Sequence, residues 1–134
     1  MILGLNHIGI CVERLEEMIP WLEERLEAKL ISVREMPDRG QRSAILELRD
    51  GSRLELMDPL GDTGTVASFL QKRGEGIHHI SLRVDDLDKT CEELAEAGAR
   101  IIGKGNGIAF VHPKTGHGVL WELSDGSFSQ KENA

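Results

Sequence analysis

Two histidines and two glutamates occupy matched places in two similar stretches of this sequence. His7 lies in the stretch LNHIGICV, and His79 lies 72 residues later in the stretch IHHISLRV. Glu55 stands between two leucines, and Glu122 stands between a tryptophan and a leucine 67 residues further on. Two imidazoles and two carboxylates suit a divalent ion of intermediate hardness, such as Co²⁺, Ni²⁺, Mn²⁺, Fe²⁺ or Zn²⁺. The duplication therefore predicts one metal site with four protein ligands, and two octahedral positions stay open for substrate or water.

Strand alternation predicts that these four side chains share one kind of face. Successive side chains of a β-strand point to opposite faces. Each of the four polar residues is followed by an apolar residue, such as Ile8 after His7 and Leu56 after Glu55. We expect these apolar neighbours to pack under a helix. The four polar side chains then converge if the sheet curves around one cavity. Polar residues on the open face of an antiparallel sheet are the ordinary alternative, but the matched spacing favours the metal site.

The elements that must position these residues follow the order β-α-β-β-β twice. In the first repeat, apolar alternation and turn residues predict strands at 5–12, 30–36, 42–48 and 53–58. Proline interrupts the hydrogen bonding of a helix interior, so we expect a short turn before Pro20 and the main helix to begin there.

A connecting helix is predicted from Thr65 to Arg73, with Gly74 ending it. The second repeat predicts strands at 77–84, 99–102, 107–111 and 118–124, and a helix at 88–97.

This arrangement predicts an α+β fold in which two pseudo-symmetric βαβββ modules form a curved sheet around a central metal cavity. We expect a single domain over residues 1–125, which is an ordinary domain size. Module one would span 1–60, a linker helix 61–75 and module two 76–125. The polar residues 126–134 are predicted to form a flexible tail.

Composition excludes several classes of function. The chain has a formal net charge of −7 and only 4% aromatic residues, which argues against nucleic-acid binding. It contains no apolar run long enough to cross a bilayer, and we expect no secretory leader. Cys11 and Cys91 read as buried thiols and not as a disulfide framework. We therefore expect a cytoplasmic protein with neither a nucleic-acid nor a membrane partner.

Several motifs resemble the vicinal oxygen chelate superfamily, which includes the glyoxalases and the bleomycin-resistance proteins. The resemblance spans residues 5–124 and rests on NHIGI at 6–10, LELMDPLG at 54–61, FLQKRGEGIHHI at 69–80, FVHPK at 110–114 and GVLWEL at 118–123. The run RGEGIHH and the turn HPK are more specific, and they resemble the methylmalonyl-CoA epimerase branch of this superfamily.

The resemblance implies an isomerase that inverts the α-carbon of methylmalonyl-CoA through a metal-stabilised enolate. It implies that His7, Glu55, His79 and Glu122 hold the divalent ion, with Co²⁺ placed first, and that Glu122 also acts as one of two acid/base groups. Members of this fold usually form dimers, so a homodimer is expected.

The second acid/base group departs from the family pattern. The branch has a glutamate where this chain has Ser43, and a serine is a poor base without an activating neighbour. Glu47 lies four residues further on the same strand face and is our candidate for the role, although it would lie about 13 Å from Ser43 along the strand. Asp38, in the turn at 37–40, is another candidate. For Glu47 and Asp38 taken singly, an ordinary solvated surface charge is the favoured interpretation.

Three residues are expected to contact the acyl-CoA substrate. Ser43 occupies the acid/base place, Arg83 shares the His79 face by strand parity, and a guanidinium there would bind an anion. Lys114 stands in the HPK turn and could meet a phosphate or carboxylate of coenzyme A, although an exposed turn lysine is an equally good interpretation.

Two other functions fit the same residues. A glyoxalase I-type lactoylglutathione lyase uses this ligand set on a thiol hemithioacetal, and it would tolerate Ser43 better because a metal-ligating glutamate could carry the proton. A binding protein of the bleomycin-resistance type would sequester a small molecule without turnover. The presence of all four ligands speaks against that binding function, because a binder need not keep them.

Overall fold

The computed structural model describes residues 1–127 of the chain. The strands are β1 Ile2–Cys11, β2 Lys29–Met36, β3 Gln41–Glu47, β4 Arg53–Pro59, β5 Gly76–Val84, β6 Ile101–Gly105, β7 Ile108–Val111 and β8 Trp121–Ser124. The helices are α1 Leu15–Arg25, α2 Thr65–Arg73 and α3 Leu87–Glu96. The order β-α-β-β-β therefore occurs twice, which confirms the α+β class and the two modules.

The eight strands form one sheet in the order β2-β3-β4-β1-β5-β8-β7-β6. Strand β1 runs parallel to β4, and β5 runs parallel to β8. The chain forms two compact units, which we call the first unit (residues 7–78) and the second unit (residues 1–6 and from 79 onward). The module boundaries given above stay a prediction.

The predicted tail at 126–134 falls mostly outside the described residues, which end at 127. The two described residues of that segment make local hydrogen bonds. The Gly126 N–H donates to the Ser124 hydroxyl, and the Ser127 N–H donates to the Asp125 carboxylate.

One face of the first unit is covered by α1. Its buried core combines Leu15 and Leu22 of the helix with Ala44, Leu46 and Leu56 of the sheet. This face is the one that apolar alternation in β3 and β4 predicts.

A buried carboxylate connects α1 to the sheet. Asp58, at the end of β4, accepts a hydrogen bond from the Leu15 N–H over 3.0 Å and is 2% exposed. The Arg42 guanidinium also donates to Asp58 and reaches the exposed Glu16. These two carboxylates raise the pKa of Arg42, so the guanidinium stays charged. The free N–H groups at the start of α1 thus receive a charged partner.

The predicted start of α1 at Pro20 is wrong. The helix begins at Leu15 and continues through Pro20 to Arg25. Proline removes one helical hydrogen bond, which strands a carbonyl of the preceding turn. Pro20 and Glu16 are both exposed, so water can satisfy that carbonyl, and burial of Leu15 and Leu22 holds the helix together.

The opposite face of the first unit is also covered, by α2. Cys11 and Met57 pack there against Val66 of that helix, and Phe69 and Leu70 extend the contact. The helix runs from Thr65 to Arg73, as predicted from the sequence, and Gly74 follows it.

Two glycines allow the segment before α2 to cross the turn after β2. A Cβ on Gly40 would stand 2.8 Å from the Thr63 carbonyl oxygen, and one on Gly64 would stand 2.6 Å from the Arg39 carbonyl oxygen. Real Cβ atoms do not come this close to backbone oxygens, and both glycines have positive φ angles, +69° and +103°. Only glycine fits at either position without displacing the backbone.

The second unit repeats this plan with α3. Val84, Cys91, Ala109, Val111 and Leu123 form its buried core. The Asp86 carboxylate caps the helix by accepting from the Lys89 N–H over 3.1 Å. Strand β8 is shorter than the predicted 118–124 and begins at Trp121, because Gly118 at φ +89° belongs to the preceding turn.

None of the helices in residues 1–127 is long and apolar enough to span a membrane.

Candidate metal centre

In the first unit, the structure brings His7 and Glu55 together. The Nε2 atom of His7 lies 3.5 Å from Oε1 of Glu55, and both side chains are largely buried. The parallel pairing of β1 and β4 sets Gly9 beside Glu55. His7 is two residues before Gly9 and so shares its face. The side chains of His7 and Glu55 therefore both lie on the sheet face away from α1, as strand parity predicts.

In the second unit, His79 and Glu122 are both buried, with 5% and 7% of their surface exposed. Phe110 of β7 pairs with Glu122 of β8, and its ring meets the His79 ring edge-on with centroids 6.3 Å apart. The Phe110 ring, the His79 imidazole and the Glu122 side chain therefore lie on one face of the second unit.

Three predicted ligands form a group that could hold a metal ion. His7, His79 and Glu122 each offer one ligand atom, and these atoms lie within 4.8 Å of one another. Imidazole and carboxylate donors suit a divalent transition metal. Glu55, the fourth predicted ligand, is in contact with His7.

Ser43 lies on β3 beside Met57 of β4, and it is 6% exposed. Its hydroxyl accepts a hydrogen bond from the side-chain amide of Gln41 over 3.0 Å. Ala44 and Leu46 point into the core under α1. Ser43 precedes Ala44 on the strand, so its side chain points to the opposite face, which also carries Glu55. A serine thus stands on the face that carries His7 and Glu55.

Glu47 lies at the far end of β3 and pairs with Arg53. Their side chains approach to 3.4 Å, and the Glu47 side chain is 35% exposed. Arg53 precedes Glu55 by two residues on β4, so the ion pair shares the face of the candidate ligand. The structure therefore places Glu47 on the predicted face but in contact with a cation.

The two predicted anion-binding residues lie on the surface of the second unit. Arg83 is exposed on β5, and its guanidinium lies against Gly126. Lys114 is exposed in the turn before β8, where its N–H donates to Nδ1 of His112 over 3.0 Å. Neither residue belongs to the group of candidate ligands.

A further buried residue of this face, Ser81, is not among the predicted ligands or substrate contacts. Ser81 of β5 is fully buried and pairs in register with Glu122 of β8. The signal was present in the repeat itself, because the motif His-Ile-Gly at residue 7 becomes His-Ile-Ser at residue 79.

The thiol of Cys11 also lies on the metal-facing side of the sheet. Burial, followed by the negative charge of Glu55, raises its pKa to about 12. The thiol stays protonated at neutral pH and is a poor nucleophile or ligand in this state.

The fold and the site together define the class of protein. The chain belongs to the glyoxalase/bleomycin resistance protein/dioxygenase superfamily, whose family model matches residues 6–117.

Its relatives narrow the comparison. The chain is 36% identical over 132 residues to the ethylmalonyl-CoA/methylmalonyl-CoA epimerase of Cereibacter sphaeroides, a match that covers 92% of this chain and 98% of that protein. The crystal structure of methylmalonyl-CoA epimerase from Mycobacterium tuberculosis matches with a TM-score of 0.82 at 37% identity, over 92% of this chain and 87% of that one.

A solved complex gives a further match. A variant of Streptomyces coelicolor methylmalonyl-CoA epimerase, bound to 2-nitronate-propionyl-CoA, is 30% identical with a TM-score of 0.79, over 92% of this chain and 96% of that one.

Proposed function

We propose that this protein is a metal-dependent epimerase that interconverts the R and S forms of methylmalonyl-CoA. The single observation that carries the proposal is the group formed by His7, His79 and Glu122, with ligand atoms within 4.8 Å of one another. The similarity to methylmalonyl-CoA epimerases over nine-tenths of the chain supports the substrate class.

The proposal includes a divalent metal ion held by two histidines and two glutamates. His7, Glu55, His79 and Glu122 would hold it, and Co²⁺ is our first choice among Co²⁺, Ni²⁺, Mn²⁺, Zn²⁺ and Fe²⁺. A divalent ion at this place supplies positive charge that stabilises an enolate.

Glu122 is proposed as the base on one face of the α-carbon. The α C–H bond breaks, its proton goes to a carboxylate oxygen of Glu122, and its electron pair delocalises into the thioester carbonyl. Inversion is complete when a second group returns a proton to the opposite face. Burial of Glu122 beside Phe110 favours this role, because a dry site strengthens electrostatic effects on proton transfer.

Glu47 is proposed as the second group, which returns the proton to the opposite face. Ser43 is proposed to contact the substrate. Glu47 shares the sheet face of Glu55, and Arg53 stands beside it. Release of Glu47 from Arg53 would be needed for it to reach the substrate.

Further parts of the proposal concern the whole molecule. Arg83 and Lys114 are proposed to contact the anionic groups of the acyl-CoA substrate. We propose that the protein acts as a homodimer in the cytoplasm.

Exchange of the α-proton of methylmalonyl-CoA in D₂O tests the proposal, with each epimer followed separately. Co²⁺-loaded protein is expected to incorporate deuterium with inversion, and the metal-free protein is expected to be inactive. Exchange without inversion would mean that only one base works. Absence of exchange from either epimer would overturn the proposal and direct attention to thiol hemithioacetals.

A further inference from the structure

Glu122 has a hydroxyl on one side and an aromatic ring on the other. Ser81 of β5 pairs with it in parallel register, and Phe110 of β7 pairs with it in antiparallel register. Leu82 and Leu123 pack in the core under α3. Ser81 and Glu122 therefore point to the opposite face, which also carries His79 two residues before Ser81.

The first unit has no hydroxyl at the position that matches Ser81. Glu55 occupies the matching place in the first unit, with Gly9 on one side and Ile45 on the other. Gly9 and Ser81 are equivalent positions of the repeated motif, both two residues after the histidine. In register, a hydroxyl therefore stands beside Glu122, and the matching position beside Glu55 is a glycine.

The Ser81 hydroxyl is fully buried, and it has no hydrogen-bond partner among the described residues. A buried hydroxyl without a partner costs free energy of folding, and such groups commonly have a role beyond folding. Neighbouring strands lie about 4.8 Å apart, so a small rotation of either side chain would bring the Ser81 hydroxyl to the Glu122 carboxylate.

We propose that Ser81 is a positioning residue for Glu122. When Glu122 binds the metal ion, the Ser81 hydroxyl donates a hydrogen bond to one carboxylate oxygen and thereby determines which oxygen faces the ion. This inference rests on the metal centre proposed above. Partners that orient metal ligands in this way typically change metal affinity by about 10- to 100-fold when they are removed.

Calorimetric titration of Co²⁺ into metal-free protein tests the inference, with melting temperatures measured on the same samples. Ser81→Ala is expected to raise the Kd for Co²⁺ by about 10-fold or more and to shift the ligand-field absorption bands of the bound ion. The melting temperature of the metal-free variant should equal or exceed that of the wild type, because the change removes an unpartnered buried hydroxyl.

Thr90→Val is the matched control. Thr90 of α3 is also buried, and its hydroxyl also lacks a partner among residues 1–127. Its removal should leave Co²⁺ affinity unchanged. Ser81→Thr keeps a hydroxyl and should bind Co²⁺ more tightly than Ser81→Ala, with bands close to those of the wild type.

Three results would overturn the inference. Equal Kd values for wild type and Ser81→Ala would remove Ser81 alone and leave the metal centre standing. Failure of the wild type to bind Co²⁺ would remove the metal centre and the inference together. A clear loss of melting temperature in metal-free Ser81→Ala, with Co²⁺ affinity and absorption bands unchanged, would assign the hydroxyl to folding.

Discussion

The side-chain amide of Gln41 donates a hydrogen bond to the Ser43 hydroxyl over 3.0 Å, and both residues are almost fully buried. The Ser43 oxygen therefore acts as an acceptor from Gln41, and its proton is free to be donated elsewhere. A hydroxyl held in this way is arranged to donate a hydrogen bond to a bound anion and not to remove a proton from carbon. This hydrogen bond supports the proposal that Ser43 contacts the substrate.

Ser43→Glu is expected to increase inversion relative to simple exchange. A carboxylate in this place would supply an acid/base group of the kind that contributes about 10²–10⁴-fold to proton transfer. The ratio of inverted to retained deuterated product, measured from each epimer in D₂O, is expected to rise about 10-fold or more. An unchanged ratio, with Co²⁺ still bound, would show that position 43 does not face the α-carbon.

Glu47→Gln is expected to reduce inversion if Glu47 returns the proton. Glutamine keeps the shape of the side chain but cannot carry the proton, so inversion should fall about 10²-fold while exchange from one epimer continues. Arg53→Gln is the comparison, and it should not lower inversion, because it removes the cation from which Glu47 has to be released. Full epimerase activity in Glu47→Gln would show that Glu47 does not carry the proton and only forms an ion pair with Arg53.

Removal of the metal is expected to lower both activity and thermal stability. Binding to the folded state alone adds about 2.7 kcal/mol at a free ion concentration 100 times the Kd. Co²⁺ should therefore raise the melting temperature of the wild type, and the rise should disappear in His79→Ala. His117→Asn alters an exposed histidine with a positive φ angle, which asparagine tolerates, and it should keep the full Co²⁺ effect.

Asp58→Asn is expected to destabilise the fold by about 2 kcal/mol, because it replaces the buried carboxylate that accepts charge-assisted hydrogen bonds from the Arg42 guanidinium. Urea unfolding measures this change. Glu16→Gln removes the exposed partner of the same guanidinium, and its effect should be much smaller. Equal effects from the two substitutions would contradict the importance given to Asp58.

The pH dependence of stability should carry a contribution from Cys11. Its pKa is about 12 in the folded state against 9.0 for the free thiol. Between these values the unfolded state loses the proton and the folded state keeps it, so stability falls as pH rises above about 9. The loss is at most about 1.4 kcal/mol per pH unit. Cys11→Ala should flatten this slope in unfolding measured from pH 8 to 10.5, and an unchanged slope would contradict the prediction.

The sequence predicts α2 to the residue because glycines stand at both ends of it, and it predicts the strands because their apolar residues alternate. Pro20 misleads because its effect depends on whether the carbonyl that it strands is exposed, which local sequence does not specify. The pairing of His7 with Glu55 follows from the duplication. The buried hydroxyl of Ser81 could not be predicted from composition, because its lack of a partner depends on what three neighbouring strands place around it.

Gly40 and Gly64 have a consequence for any survey of this protein by exhaustive substitution. A side chain at either position would collide with the backbone of the other segment, so nearly every replacement should be depleted under selection for activity. The depletion would rival that of a metal ligand, although both glycines act only through chain crossing. Intolerance to mutation in this fold therefore marks two different requirements, and assays of abundance and turnover together are needed to separate them.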